Sequence, residues 1–112
     1  MDKKKKKQLE EKGFHVGLAA EFLQLTPEEE AYIEIRLELS ALMRNQRRKR
    51  GWTQEQLARA CGSSQSRVAK METGDPGTSL DLMVKVLLRL GVSKKELGEL
   101  LSGKIKPDLE PA

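Results

Sequence analysis

The sequence is poor in cysteine and aromatic residues, and it contains no long apolar run. Cys61 is the only cysteine among the 112 residues, which excludes an internal disulfide, and no metal-ligand set surrounds it. We therefore expect a cytoplasmic protein without a metal or other cofactor. Aromatic residues make up 4% of the chain, so the core must consist of Leu, Ile, Val, Ala and Met, which favours helices over strands. No apolar segment is long enough to span a membrane.

Signatures of catalysis and of secretion are also missing. His15 is the only histidine, and no serine, histidine and acid form a recognisable nucleophile arrangement. The sequence has no glycine-rich phosphate loop. The lysines of residues 3–7 are followed by polar residues, whereas a signal peptide would continue with an apolar stretch. We predict no catalytic residue and no enzymatic activity.

Positive charge is concentrated in one part of the chain. The formal net charge is +4, yet residues 44–70 hold eight basic residues against one acid, a local charge of +7. Residues 28–38 hold five acids and one base. A basic patch on an otherwise balanced chain indicates a polyanionic partner, although a solvated helix face would give the same pattern.

Capping residues and glycines mark the helix boundaries. Thr26 before Pro27, with Glu29 completing a capping box, predicts a helix that runs to about Lys49 and stops at Gly51. This helix carries two apolar stripes along its length. One consists of Ile35, Leu39, Leu42 and Met43, and the other of Ile33, Leu37 and Ala41. We expect the second stripe to be covered by the apolar residues of segment 14–25, with a short helix over 18–23.

Four more helices are predicted from similar signals. Their starts are a capping box at Thr53 and Gln56, the serines Ser63 and Ser64, the cap Ser79 before an apolar helix over 80–90, and a capping box at Ser93 and Glu96. In the last helix we expect Leu97, Leu100 and Leu101 to face inward. The sequence thus predicts an all-α fold: a five-helix domain over residues 26–103, after an N-terminal extension (1–25) made of a flexible basic tail and a short docking segment. A loose tail (104–112) follows the domain.

The segment 53–74, TQEQLARACGSSQSRVAKMETG, carries the most specific pattern. Two helices that cross closely need a small residue at the crossing, which Ala58 supplies, and the turn needs a positive φ, which Gly62 supplies. Apolar residues that join the pair to the domain are Leu57, Cys61, Val68 and Met71. Ser63 departs from the pattern, because that position is often apolar.

This segment resembles the helix-turn-helix of the lambda-repressor and Cro family, also called the XRE family, with the motif at 54–73. Residues 91–103, GVSKKELGELLSG, are similar to the closing helix of that five-helix domain. The resemblance implies a lambda-repressor-like DNA-binding domain over residues 35–103. The longer stretch 22–58 resembles a narrower subgroup, the HigA-like antitoxins, which are often paired with a RelE-like ribonuclease toxin and repress their own operon.

The resemblance implies a role for each residue of the motif. Side chains expected to contact bases in the major groove are Gln65, Ser66, Arg67 and Lys70. Groups expected at DNA phosphates are Gln54, which also braces Gln65, together with Ser64, Thr73, Gly74, Thr78, Ser79, Arg48 and Lys49. Arg47 and Glu72 match a pair that forms a structural ion bridge in relatives.

Three functions remain open at the level of sequence. The first is a homodimeric repressor of operator DNA, an antitoxin whose protein partner is a RelE-like toxin. The second is a phage-type or stress regulator with the same DNA activity and no toxin. The third is a protein-bridging coactivator module, in which the exposed helix faces bind proteins instead of bases.

Overall fold

A computed structural model of the protein describes residues 24–107. These residues form five α-helices and no strand: α1 (Pro27–Lys49), α2 (Gln54–Ala60), α3 (Gln65–Thr73), α4 (Leu80–Arg89) and α5 (Lys94–Leu101). The predicted all-α, five-helix fold is confirmed. The predicted basic tail, the helix over 18–23 and most of the docking segment lie outside the described residues. None of the helices described is both long and apolar enough to cross a membrane.

The structure divides into two units at the boundary between Ile35 and Arg36, inside α1. In the first unit, the described residues carry the predicted start of α1. The Glu29 amide donates to Thr26 Oγ1 at 3.2 Å, and the Thr26 amide donates to Glu29 Oε1 at 3.1 Å. The hydrogen bonds that the Glu29 carboxylate accepts from the backbone and the side chain of Thr26 lower the pKa of Glu29.

The second unit, residues 36–112, contains the rest of α1 and the helices α2 to α5. Its core is aliphatic, as the lack of aromatics predicted. The buried apolar side chains larger than alanine are Leu39, Leu42, Met43, Leu57, Val68, Met71, Met83, Val86, Leu87, Leu90, Val92 and Leu100. Fully burying one such side chain stabilises the fold by about 1.5 to 3 kcal/mol.

Helix α5 departs from the prediction at one residue. Leu100 is 1% exposed, but Leu101 is 56% exposed, so the prediction that Leu101 faces inward is wrong. Neighbouring residues lie about 100° apart around a helix of 3.6 residues per turn. A helix of eight residues that packs one narrow stripe against the core therefore buries Leu100 and leaves Leu101 outside.

Candidate nucleic-acid interface

The two helices of the motif are held by local caps. Thr53 and Gln56 form the predicted capping box at the start of α2, with reciprocal bonds of 3.1 and 2.8 Å. Ser64 Oγ accepts a hydrogen bond from the Arg67 amide at 3.2 Å and caps α3. Gly62, in the turn between the helices, has a φ of +63°, a conformation that side chains with a Cβ rarely adopt.

The inner side of this helix pair is fully buried. Leu57, Val68 and Met71 are each 0% exposed, and Ala58, at the predicted crossing, is 3% exposed. Removal of such a side chain costs about 2 to 5 kcal/mol in comparable cores. The inner side therefore fixes the position of α3 in the domain.

The outer side of α3 is exposed and polar. All four residues predicted to contact bases lie there and are exposed: Gln65, Ser66, Arg67 and Lys70. No segment of the described chain covers them. An α-helix with such a side fits the major groove of B-DNA.

A polar chain links this outer side to the interior. Gln65 Nε2 donates to Gln54 Oε1 at 2.7 Å, and Gln54 Nε2 donates to Glu72 Oε1 at 3.2 Å. Glu72 is buried and receives two bonds from the Arg47 guanidinium, from Nε at 2.6 Å and from Nη2 at 2.9 Å. Arg47 Nη1 donates to the Trp52 carbonyl at 2.8 Å. The Gln65 amide is thus oriented by groups that are themselves fixed.

The residues predicted at phosphates differ in their accessibility. Ser64, Thr73, Ser79, Arg48 and Lys49 are exposed, and Gln54 and Gly74 are half-buried.

Thr78 is different, because it is 9% exposed and its hydroxyl, its amide and its carbonyl are all engaged inside the protein. Its hydroxyl donates to the Asp75 carbonyl at 2.7 Å and accepts from Arg36 at 2.9 Å, while its amide donates to the Asp75 carbonyl at 3.0 Å. This placement argues against a phosphate contact by the Thr78 side chain.

Some arginines of the basic patch have guanidinium groups that make contacts within the protein. Arg44 is 8% exposed and donates to the Glu72 carbonyl at the end of α3, at 2.9 Å. Arg50 stacks over the Trp52 ring, with its guanidinium carbon 5.0 Å from the ring centroid. Arg50 remains exposed, but counting Arg44 and Arg47 as part of a DNA-facing charge overstates the patch.

Arg36 is a buried residue of the site that sequence reasoning missed. It is 5% exposed and donates to groups 39 and 42 residues further along the chain. Its partners include backbone carbonyls, and since every residue has one, the amino-acid sequence does not indicate which of them Arg36 binds. Its isolated position in an acidic stretch of α1 was the only signal in the sequence.

The described residues contain no group of three or more His, Cys, Asp or Glu side chains that could hold a metal ion. Cys61 is half-buried at the end of α2. Burial raises the pKa of its thiol, and the positive charge of Arg89 offsets part of the rise. A thiol in this state packs as a small apolar group.

Comparison with known proteins agrees with this geometry. Residues 43–97 match a family model described as helix-turn-helix. No curated protein and no solved structure matches the chain. The matched range spans α2 to α4 completely, together with the end of α1 and the start of α5. Residues 43–97 are therefore similar in sequence to a helix-turn-helix domain.

Proposed function

We propose that the protein is a sequence-specific transcriptional repressor that reads operator DNA with the outer side of α3. The observation that carries this proposal is the oriented amide of Gln65. One hydrogen of its Nε2 is used by Gln54. The other hydrogen and Oε1 match the N7 acceptor and the N6 donor of adenine.

The neighbouring groups support the same assignment. Lys70 lies exposed on α3 and can donate to guanine O6 or N7. Ser66 and Arg67 lie beside them, and Arg67 can reach a guanine or a phosphate. The exposed groups at both ends of α3, Ser64 and Thr73, suit phosphates, which fix register without reading sequence.

One α3 reads too few base pairs for useful specificity, so we propose that the protein binds as a homodimer. Two copies would then occupy half-sites about one helical turn apart. We further propose that the operator belongs to the protein's own operon and that a RelE-like toxin is a partner. The basis for this last step is the sequence resemblance of residues 22–58 to HigA-like antitoxins.

The test begins with selection of bound sequences from a random duplex library. Affinity is then measured by fluorescence anisotropy for wild type, Gln65→Ala and Lys70→Ala on the selected operator, on operators with one altered base pair and on random duplex. Each substitution should remove about 1 to 3 kcal/mol of discrimination at one base pair, roughly five- to 150-fold in relative affinity. Binding to random duplex should change little.

The matched control is Lys85→Ala. Lys85 is a 70% exposed lysine on α4 that pairs with Asp81 at 3.2 Å, and its removal should leave discrimination intact. A folded Gln65→Ala/Lys70→Ala protein with wild-type operator affinity would refute base reading by α3 and favour the protein-bridging alternative.

The dimer and the toxin have their own measurements. Footprinting should give a palindromic protected region, and a monomer that binds without sequence preference would contradict the dimer. Co-purification from the native host should yield a RelE-like protein. If the operator-binding protein purifies without one, the regulator lacking a toxin is the correct interpretation.

A further inference from the structure

A buried arginine of α1 donates hydrogen bonds to the loop between α3 and α4 from the interior of the protein. Arg36 lies on α1, upstream of the segment that matches the family model, and is 5% exposed. Its Nη2 donates to the carbonyl oxygen of Asp75 at 2.6 Å, to that of Thr78 at 2.7 Å, and to Thr78 Oγ1 at 2.9 Å. A single guanidinium nitrogen therefore joins Asp75 and Thr78, which lie near the two ends of the loop (residues 74–79).

The loop is also ordered by its own hydrogen bonds. The Asp75 carbonyl accepts from the amide and the hydroxyl of Thr78, at 3.0 and 2.7 Å, and Asp75 Oδ1 accepts from the Gly77 amide at 2.7 Å. Arg36 adds a third donor to the Asp75 carbonyl and occupies the Thr78 hydroxyl. Removing Arg36 would leave buried oxygens without their charged donor, which favours another loop conformation.

This loop connects two groups of the proposed DNA interface. Thr73 is the last residue of α3, and Ser79 caps α4 through a bond of 3.3 Å from the Leu82 amide to its Oγ. Both are exposed, and the distance between them depends on the path of residues 74–78. Arg36 is buried and lies behind that path, so it can set the spacing of the two groups without touching DNA.

We propose that Arg36 is a positioning residue for the phosphate contacts of the interface. It holds residues 75–78 so that Thr73 and Ser79 meet the DNA backbone in a fixed register. This inference rests on the proposed function and deepens it. Phosphate contacts carry no sequence information, so Arg36 should govern overall affinity and its salt dependence, whereas Gln65 governs the choice of bases.

The test compares Arg36→Met and Thr78→Val with wild type and with Arg89→Met. Arg89→Met removes the same charge from an exposed position on α4. Two quantities are measured: the exchange rate of the Thr78 amide by NMR, and the affinity for operator and random duplex over a range of salt concentrations.

Arg36→Met should speed exchange of the Thr78 amide and weaken binding to operator and random duplex alike, by about tenfold. The slope of log affinity against log salt should fall by about one for each DNA phosphate that the variant no longer engages. Thr78→Val should change the same quantities in the same direction with a smaller effect. If Arg36→Met does not fold, the comparison of Thr78→Val with wild type decides the test. Arg89→Met should leave the exchange rate of Thr78 unchanged.

The inference is overturned by the following result for folded Arg36→Met and Thr78→Val. Their Thr78 amides exchange at the wild-type rate, and their slopes of log affinity against log salt equal the slope of Arg89→Met. It is also overturned if Arg36→Met lowers operator affinity alone, because that would make Arg36 a determinant of base choice. A wild-type protein that binds no duplex refutes the proposed function and with it the role of Arg36 at phosphates. The exchange rate then still decides whether Arg36 holds the loop.

Discussion

The energetic coupling between the buried residues Arg47 and Glu72 is the most direct test of how this domain is built. Arg47 and Glu72 make two bonds of 2.6 and 2.9 Å, and their side chains are 12% and 3% exposed. Removing either partner leaves the other charge buried and uncompensated, which costs about 3 to 5 kcal/mol. Since a small domain is stable by about 5 to 15 kcal/mol, Arg47→Met or Glu72→Leu alone should lose much of the total.

The double variant should be far more stable than the sum of the single effects predicts. An apolar pair of similar size avoids the buried charge, and the only other bonds removed are those to the Trp52 carbonyl and from Gln54. The neutral groups that lose a partner, the Trp52 carbonyl and the Gln54 amide, belong to half-buried residues, and their loss should cost about 1 to 3 kcal/mol together. The double variant should therefore lose about that amount, with a coupling of at least about 3 kcal/mol between the two substitutions.

Urea unfolding followed by circular dichroism and by the fluorescence of Trp52, the only tryptophan, gives the four free energies of unfolding. The matched control is the exposed pair Glu55 and Arg59, 3.3 Å apart with side chains 68% and 77% exposed. Its cycle should give at most about 0.5 kcal/mol. Additive effects at Arg47 and Glu72, within about 0.5 kcal/mol, would refute the reasoning.

Three further predictions concern single residues. Gly74→Ala should destabilise the fold by about 1 to 3 kcal/mol, because Gly74 has a φ of +74° and an added methyl group would lie 3.0 Å from Leu37 Cδ2. Gly62→Ala, with a φ of +63° and open space around it, should cost less, and equal losses in urea unfolding would contradict a role for the Leu37 contact. Ser63→Ala should raise the midpoint of thermal unfolding, because the buried Ser63 hydroxyl has no hydrogen-bond partner; a lowered midpoint would contradict this. The raised pKa of Cys61 means less thiolate at pH 8, so alkylation by iodoacetamide should be slower in the folded protein than in urea, and equal rates would show that burial does not protect the thiol.

The start of each helix was predictable because capping is local. Thr53 with Gln56 and Ser93 with Glu96 act within three residues of each other, and the structure contains both capping boxes. The failure at Leu101 arose because a short helix has two adjacent apolar residues and the sequence does not tell which of them meets the core.

Long-range polar contacts could not be predicted from residue types. The burial of Arg44 depends on the Glu72 carbonyl, and that of Arg36 on carbonyls of the loop after α3. Backbone acceptors are present at every position, so their use by a distant arginine becomes visible only in the fold. The pairing of Arg47 with Glu72 was different, because both partners are side chains with a known spacing in similar sequences.

The buried inner side and the exposed outer side of α3, referred to below as its back and its front, have a consequence for engineering. The back is fixed by Val68 and Met71, and the buried Glu72 ties it to α1. The front residues Ser66 and Lys70 contribute nothing to that anchoring through their side chains. Their replacement should therefore leave the melting behaviour of the scaffold unchanged. On the proposed function, the same replacements should retarget the domain to a new duplex, which makes α3 a suitable element for building libraries of altered specificity.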